Sequence, residues 1–204
     1  GIPGVFQGNE NITDVIIHDK VTTIGCNTFY GCSGLENIAI PNSVTVIDAG
    51  AFAYCTSLKK VNIPDGVKRL DGCYGMFADY GVFEGCISLE NIVIPNSVEY
   101  LGRIFSECKG LKSVTIGSGV RWIDCEIFNF CESLSQIISY IPADSLVTPR
   151  DVVYEHRTSF NTYSSDLENL TLYVPKGAKE TYASTDGWKV FNIVELPGEF
   201  EIEV

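Results

Sequence analysis

Residues 40–64 read Ile-Pro-Asn-Ser-Val-Thr-Val-Ile-Asp-Ala-Gly-Ala-Phe-Ala-Tyr-Cys-Thr-Ser-Leu-Lys-Lys-Val-Asn-Ile-Pro. The stretch opens and closes on the same Ile-Pro dipeptide because it is one period of an internal repeat. Laid over the rest of the chain, it aligns rings at Phe6, Phe29, Phe52, Phe83, Phe105 and Phe128, with intervals of 23, 23, 31, 22 and 23 residues. Cys32, Cys55, Cys86, Cys108 and Cys131 follow three residues behind five of those rings, and Leu35, Leu58, Leu89, Leu111 and Leu134 three later again. A fixed period of this length is the signature of a solenoid, whose single coils cannot bury their apolar face until neighbours stack on them.

Within each period Leu-x-x-Ile-x-Ile-Pro ends in alternating β-branched residues, which predicts a short half-buried strand. Pro41, Pro64 and Pro95 close three of these strands, since proline has no N–H to donate to a ladder. Turn residues follow, with Gly117-Ser118-Gly119 where the proline is lost. Next comes Val-x-x-Ile or Val-x-x-Leu, and then Phe and Cys at i and i+3, the offset of one helical or 3-10 turn. Asp48 and Asp124 stand where such a turn needs an N-cap. The expected fold is therefore an α/β repeat solenoid, β-dominated, with one parallel strand and one short helical or 3-10 turn per coil. Two departures stand out. The third repeat is enlarged at residues 71–82, about eight residues over the period, and residues 139–166 form an irregular connection in which Phe160 is a degenerate ring position.

Composition narrows the partners. Fourteen basic against twenty-six acidic residues give a net charge of −12. That disfavours nucleic acid and anionic membrane surfaces, which need a basic face. No run reaches the ~20 apolar residues of a membrane span. Gly1-Ile2-Pro3-Gly4 has neither the charged start nor the apolar core of a leader. The first coil is already in phase at Phe6 and Ile12, so an expressed fragment or mature piece is expected.

No catalytic constellation emerges. Five of eight cysteines fall in the repeat phase, where a small buried apolar residue suffices. Cys26, Cys73 and Cys125 lie outside it, and the shared spacing of Cys26/Cys32 and Cys125/Cys131 leaves a local disulfide open. The spacings are not those of a zinc site. His18 takes the place of a post-strand proline and His156 sits in the irregular connection, neither beside a nucleophile. Neither metal nor cofactor is called for.

What remains is the strand surface. The x letters of Leu-x-x-Ile-x-Ile point outward, because side chains alternate across a strand. Stacked, they make one face: Thr13, Asp14 and Ile16; Glu36, Asn37 and Ala39; Lys59, Lys60 and Asn62; Glu90, Asn91 and Val93; Lys112, Ser113 and Thr115. Its charge alternates by coil, a mixture that suits a protein partner better than a polyanion. Tyr74 and Tyr80 in the enlarged repeat add ring surface of the kind that anchors interfaces.

The pattern in residues 40–64 and its copies resembles the BspA-type leucine-rich repeat of bacterial and protozoan surface and secreted proteins. Tyr173-Val174-Pro175-Lys176-Gly177, followed by Tyr182, Gly187-Trp188, Phe191 and Ile193, is similar to the segment that closes such arrays. The resemblance implies a leucine-rich-repeat right-handed superhelix. It divides the chain into repeats at 5–138, a connection at 139–166, a capping strand and helix at 167–195 and an acidic tail at 196–204. It also implies a secreted or cell-surface, non-enzymatic module that adheres to host or neighbouring-cell proteins. A structural spacer for another domain and a carbohydrate-binding or carbohydrate-processing module are the alternatives.

Overall fold

The Leu-x-x-Ile-x-Ile letters do form strands, and the Val-x-x-Ile letters form a second set between them. The computed structural model describes residues 4–70, 80–124, 127–148 and 170–198. In chain order its strands are β1 (Asp14–Ile16), β2 (Thr23–Ile24), β3 (Asn37–Ala39), β4 (Val46–Ile47), β5 (Lys60–Asn62) and β6 (Arg69–Leu70). They continue as β7 (Asn91–Ile94), β8 (Tyr100–Leu101), β9 (Ser113–Ile116), β10 (Trp122–Ile123) and β11 (Gln136–Ser139). All pair in parallel. Equivalent letters face one another: Val15 opposite Ile38, Ile38 opposite Val61, Ile92 opposite Val114 and Val114 opposite Ile137. The five two-residue strands make one continuous sheet, β2-β4-β6-β8-β10. Two residues apiece is too short for an alternation to show in sequence.

The side carrying the rings differs from expectation. Instead of a helical turn, Phe, Gly and Cys form β-turns in which the Cys32 and Cys55 amides donate to the Phe29 and Phe52 carbonyls at 3.0 and 3.1 Å. The second residue after each ring is left-handed, at Gly8, Gly31, Tyr54, Gly85, Glu107 and Phe130, with φ between 58° and 73°. That conformation ends any helix, and for a residue with a Cβ it costs about 1–2 kcal/mol. The amides a helix would use internally reach the next coil instead: Phe29 N–H donates to the Ala51 carbonyl at 2.8 Å and Gly31 N–H to that of Ala53 at 2.8 Å. Asp48 and Asp124 consequently cap no helix. The Asp48 carbonyl accepts the Ala51 amide at 3.1 Å, and Asp124 Oδ2 accepts the Tyr100 hydroxyl at 3.3 Å.

Inside, the six rings stack with centroids 5.4, 5.4, 5.6, 6.1 and 5.8 Å apart and planes within 12°. Burial of each interior ring contributes roughly 1.5–3 kcal/mol. The cysteine column runs beside it. Each thiol donates to the carbonyl of the preceding coil's phenylalanine: Cys32 to Phe6, Cys55 to Phe29, Cys86 to Phe52, Cys108 to Phe83 and Cys131 to Phe105, at 3.0–3.2 Å. Cys32 and Cys131 are free thiols, so neither local disulfide forms; Cys73 and Cys125 lie outside the described residues. The cysteine letter is thus both filler and hydrogen-bond donor, which a methyl of the same size is not.

Burial pushes the Cys55 and Cys131 thiols up to about 12 and those of Cys86 and Cys108 well above their ordinary range. The native state therefore binds more protons than the unfolded chain once pH passes the ordinary thiol value near 9, and stability falls as pH rises from there toward 12. The expected loss is up to about 1.4 kcal/mol per pH unit per buried thiol. Urea titrations between pH 7.5 and 10.5 check this: the midpoint holds below pH 8.5, then drops, and drops less in Cys55→Ala.

Beyond β11 come a 3-10 turn at Ala143–Ser145, β12 (Thr171–Val174), helix α1 (Lys179–Ser184) and β13 (Asn192–Glu195). These two helical segments are the only ones among the described residues. β12 and β13 extend the sheet of β7, β9 and β11. Tyr182 and Trp188 are fully buried at this end. The Tyr182 hydroxyl lies 2.6 Å from Ser139 Oγ and donates to the Ile141 carbonyl at 2.9 Å, while the Trp188 indole N–H donates to the Val147 carbonyl at 2.9 Å. Phe160 lies outside the described residues, as do positions 167–169 at the start of the expected capping segment.

Candidate binding wall

β1, β3, β5, β7, β9 and β11, continued by β12 and β13, form the wall on which most of the sequence-derived candidates sit. Glu36, Asn37, Lys59, Lys60, Asn62, Glu90, Asn91 and Lys112 are exposed on it, and Thr115 is half-buried. Ser113 departs from expectation: it is buried, with Gln136 Nε2 donating to its hydroxyl at 3.1 Å. The alternation of charge resolves into ion pairs between neighbouring coils, Lys59–Glu36 at 2.7 Å and Lys112–Glu90 at 2.9 Å. Exposed pairs of this kind contribute about 0–1 kcal/mol each. Lys60 has no such partner among the described residues.

The wall is not continuous. Its strands fall into two sheets, β1-β3-β5 and β7-β9-β11-β12-β13. Between β5 and β7 lies a cavity of about 780 Å³, lined by Lys59, Lys60, Val61, Asn62, Ser88, Glu90, Asn91, Ile92 and Val93. Five sequence-derived candidates therefore meet in one groove: Lys59, Lys60, Asn62, Glu90 and Asn91. Glu36, Asn37, Lys112 and Thr115 flank it on intact ladder. Val61 and Ile92 were legible only as core letters, yet both line the groove. Val61 is half-buried where Ile38 and Val114 are buried. The 31-residue interval in this coil is the one sequence feature that marked it out.

Tyr80 lies elsewhere, on the turn side of the coil, and Tyr74 lies outside the described residues. Tyr80 packs on Tyr30 at 5.1 Å and Tyr54 at 5.9 Å between centroids. Beneath them Glu84 is buried, its carboxylate accepting from the Gly81 amide at 2.9 Å and the Tyr54 hydroxyl at 3.2 Å. Burial holds the Glu84 carboxyl above its usual range and, together with Tyr80, pushes the Tyr30 phenol up to about 12. These groups satisfy one another and do not converge with the groove. His18 is an exposed turn residue whose Nδ1 accepts the Lys20 amide at 3.2 Å; His156 lies outside the described residues. No helix among the described residues is long and apolar enough to cross a membrane.

Comparison with known proteins agrees with this geometry. A family model described as BspA type leucine rich repeat region matches in six copies over residues 3–79 and 77–172. No curated protein matches the chain. Among solved structures, the pneumococcal vaccine antigen PcpA superposes with a TM-score of 0.71 at 16% identity, over 94% of this chain and 43% of that one. A leucine rich cell surface protein from Faecalibacterium prausnitzii gives 0.54 at 28% identity, over 63% of this chain and 32% of that one. A leucine rich repeat protein of T. pallidum gives 0.55 at 26% identity, over 68% of this chain and 66% of that one. The chain thus spans less than half of the first two.

Proposed function

Since the chain belongs to the BspA-type leucine-rich repeat family, we propose that it is a non-enzymatic, adhesion-type protein-binding module, displayed on a cell surface or secreted. Its partner is a host or neighbouring-cell surface protein, engaged through the strand wall. The observation that carries this reading is the groove between β5 and β7, where Lys59, Lys60, Asn62, Glu90 and Asn91 gather around apolar Val61, Ile92 and Val93. An apolar pocket with a few polar groups at its rim is the usual form of a recognition site. The Faecalibacterium relative, described as a cell surface protein, supports the location. Residues 170–195 serve in this reading to close the apolar end of the array.

Biolayer interferometry over a panel of purified extracellular-matrix and cell-surface proteins tests it, comparing wild type, Lys60→Glu and the distant Lys176→Glu. At least one protein should bind wild type and Lys176→Glu alike, and Lys60→Glu at least tenfold more weakly. Lys60 is the better probe than Lys59, whose reversal would also break the pair with Glu36. One observation favours the spacer alternative: Glu36–Lys59 and Glu90–Lys112 neutralise each other within the wall. A spacer binds nothing on the panel and is indifferent to both reversals.

A further inference from the structure

The sheet of two-residue strands carries a surface of its own. In β4, β6, β8 and β10 the second residue is core, Ile47, Leu70, Leu101 and Ile123, and the first faces outward. Val46, Arg69 and Trp122 are exposed there, and Tyr100 is half-buried. Arg69 is the ladder neighbour of Tyr100, and Tyr100 of Trp122. A cation and two rings therefore lie side by side across three adjacent strands, with about 4.8 Å from one backbone to the next. The Arg69 guanidinium sits over the Tyr100 ring, 4.7 Å from its centroid. Trp122 is 49% exposed. An indole left half in water on a flat sheet forgoes burial that its size would reward, and such patches mark interaction surfaces.

The charge of this surface runs against that of the chain. Glu99 and Asp124 are engaged within it, Glu99 by Lys68 at 3.0 Å and Asp124 by the Tyr100 hydroxyl at 3.3 Å. Arg121, at the entrance to β10, is exposed and has no ion-pair partner among the described residues. Its Nη1 donates to the Ser118 and Val120 carbonyls at 2.9 and 3.0 Å, which fixes the guanidinium while engaging one of its three nitrogens. The chain as a whole carries −12. At physiological ionic strength, however, exposed charges are screened beyond about 8 Å, so acidic groups on distant coils do not cancel the guanidinium groups here.

We propose that this surface is a further docking site, for a polypeptide segment in which carboxylates neighbour apolar side chains. The carboxylates meet Arg121 and Arg69, whose planar forks match carboxylate geometry, and the apolar side chains cover Trp122 and Val46. Trp, Tyr and Arg are the residue types that dominate binding energy where they cluster. A guanidinium already held by a ring or by carbonyls also loses less freedom when its ligand arrives. Nucleic acid needs a broader basic face than this one, and a polyuronate brings carboxylates without apolar side chains. The site goes beyond the groove reading and does not depend on it, because the two surfaces share no residue.

The chain holds two tryptophans, of which Trp188 is fully buried and Trp122 is not, so the surface contains its own reporter. The probe is a dodecapeptide in which glutamate and phenylalanine alternate, added to the whole chain at physiological ionic strength. Binding is read by calorimetry and by acrylamide quenching of tryptophan emission. The peptide should bind wild type and lower the quenching constant at least twofold. Trp122→Ala should weaken the binding at least fivefold and Arg121→Glu at least tenfold. Lys60→Glu, on the groove, should change it less than twofold. A peptide with lysine in place of glutamate should not bind wild type, and should bind Arg121→Glu measurably. Both substituted side chains are exposed, so the urea midpoints of the two variants should match wild type. Absence of binding by the glutamate peptide, equal binding of the lysine peptide to wild type, or indifference to both Arg121→Glu and Trp122→Ala overturns the proposal. Polygalacturonate that binds through Arg121 where the peptide does not overturns it too, and puts an acidic glycan in the segment's place. An empty panel of surface proteins beside Trp122-dependent peptide binding removes the groove reading and leaves this site.

Discussion

Phe52→Ala is expected to lower the unfolding free energy by about 3–5 kcal/mol, as a large deletion inside a packed core. Phe52 is fully buried in the middle of the ring stack, 5.4 Å from Phe29 and 5.6 Å from Phe83. The truncation removes two ring contacts, each worth about 0.5–1.5 kcal/mol beyond area, and leaves a void against the Cys55 and Cys86 turns. Those turns are fixed by thiol and amide bonds to carbonyls of adjoining coils, so the site has little freedom to collapse. Phe6 supplies the internal control. It is 43% exposed at the end of the stack, and Phe6→Ala should cost less than half as much. Denaturant titration of both variants decides the matter: a loss below about 1 kcal/mol for Phe52→Ala would show that the ring column is not the core.

Trp188→Ala should cost a similar amount, about 3–5 kcal/mol, at the other end of the molecule. Trp188 is fully buried against Tyr182, with ring centroids 5.2 Å apart at 75°. Its indole N–H is also tied to the Val147 carbonyl. Two effects therefore add, and a second variant separates them. Trp188→Phe keeps most of the ring but leaves that carbonyl unpaired, for an expected cost of about 1–3 kcal/mol. Thermal unfolding of the two variants should rank them in that order. Equal losses would mean that the hydrogen bond, not ring volume, holds this segment against the sheet.

The stacking of coils was legible because one constraint repeats. A side chain that must meet its own equivalent every 22 or 23 residues shows itself as a column of Phe, Cys and Leu. The turns were less legible. Phe and Cys at i and i+3 are compatible with a helical turn or a β-turn, and only the left-handed residue between them, with amides committed to the next coil, selects the second. Gly31 and Gly85 hinted at this, but Tyr54, Glu107 and Phe130 at the same position obscured it. The strands β2, β4, β6, β8 and β10 leave no mark in the sequence because two residues cannot display an alternation.

The candidate site divides in the same way. Outward letters such as Lys60, Asn62 and Asn91 followed from strand alternation alone, a local property of the backbone. That Glu36 and Glu90 would be occupied by Lys59 and Lys112 needed the register between coils.

By itself, then, the sequence determined the repeat, the dry side of each coil and, Ser113 apart, the wet side of the longer strands, and the family, since all of these are written in the spacing of residues along one coil. Only the tertiary structure decided that the ladder breaks between β5 and β7. A hydrogen bond between successive coils depends on the distance between two backbones, and residues Lys59 and Glu90, 31 positions apart, carry no letter that reports it.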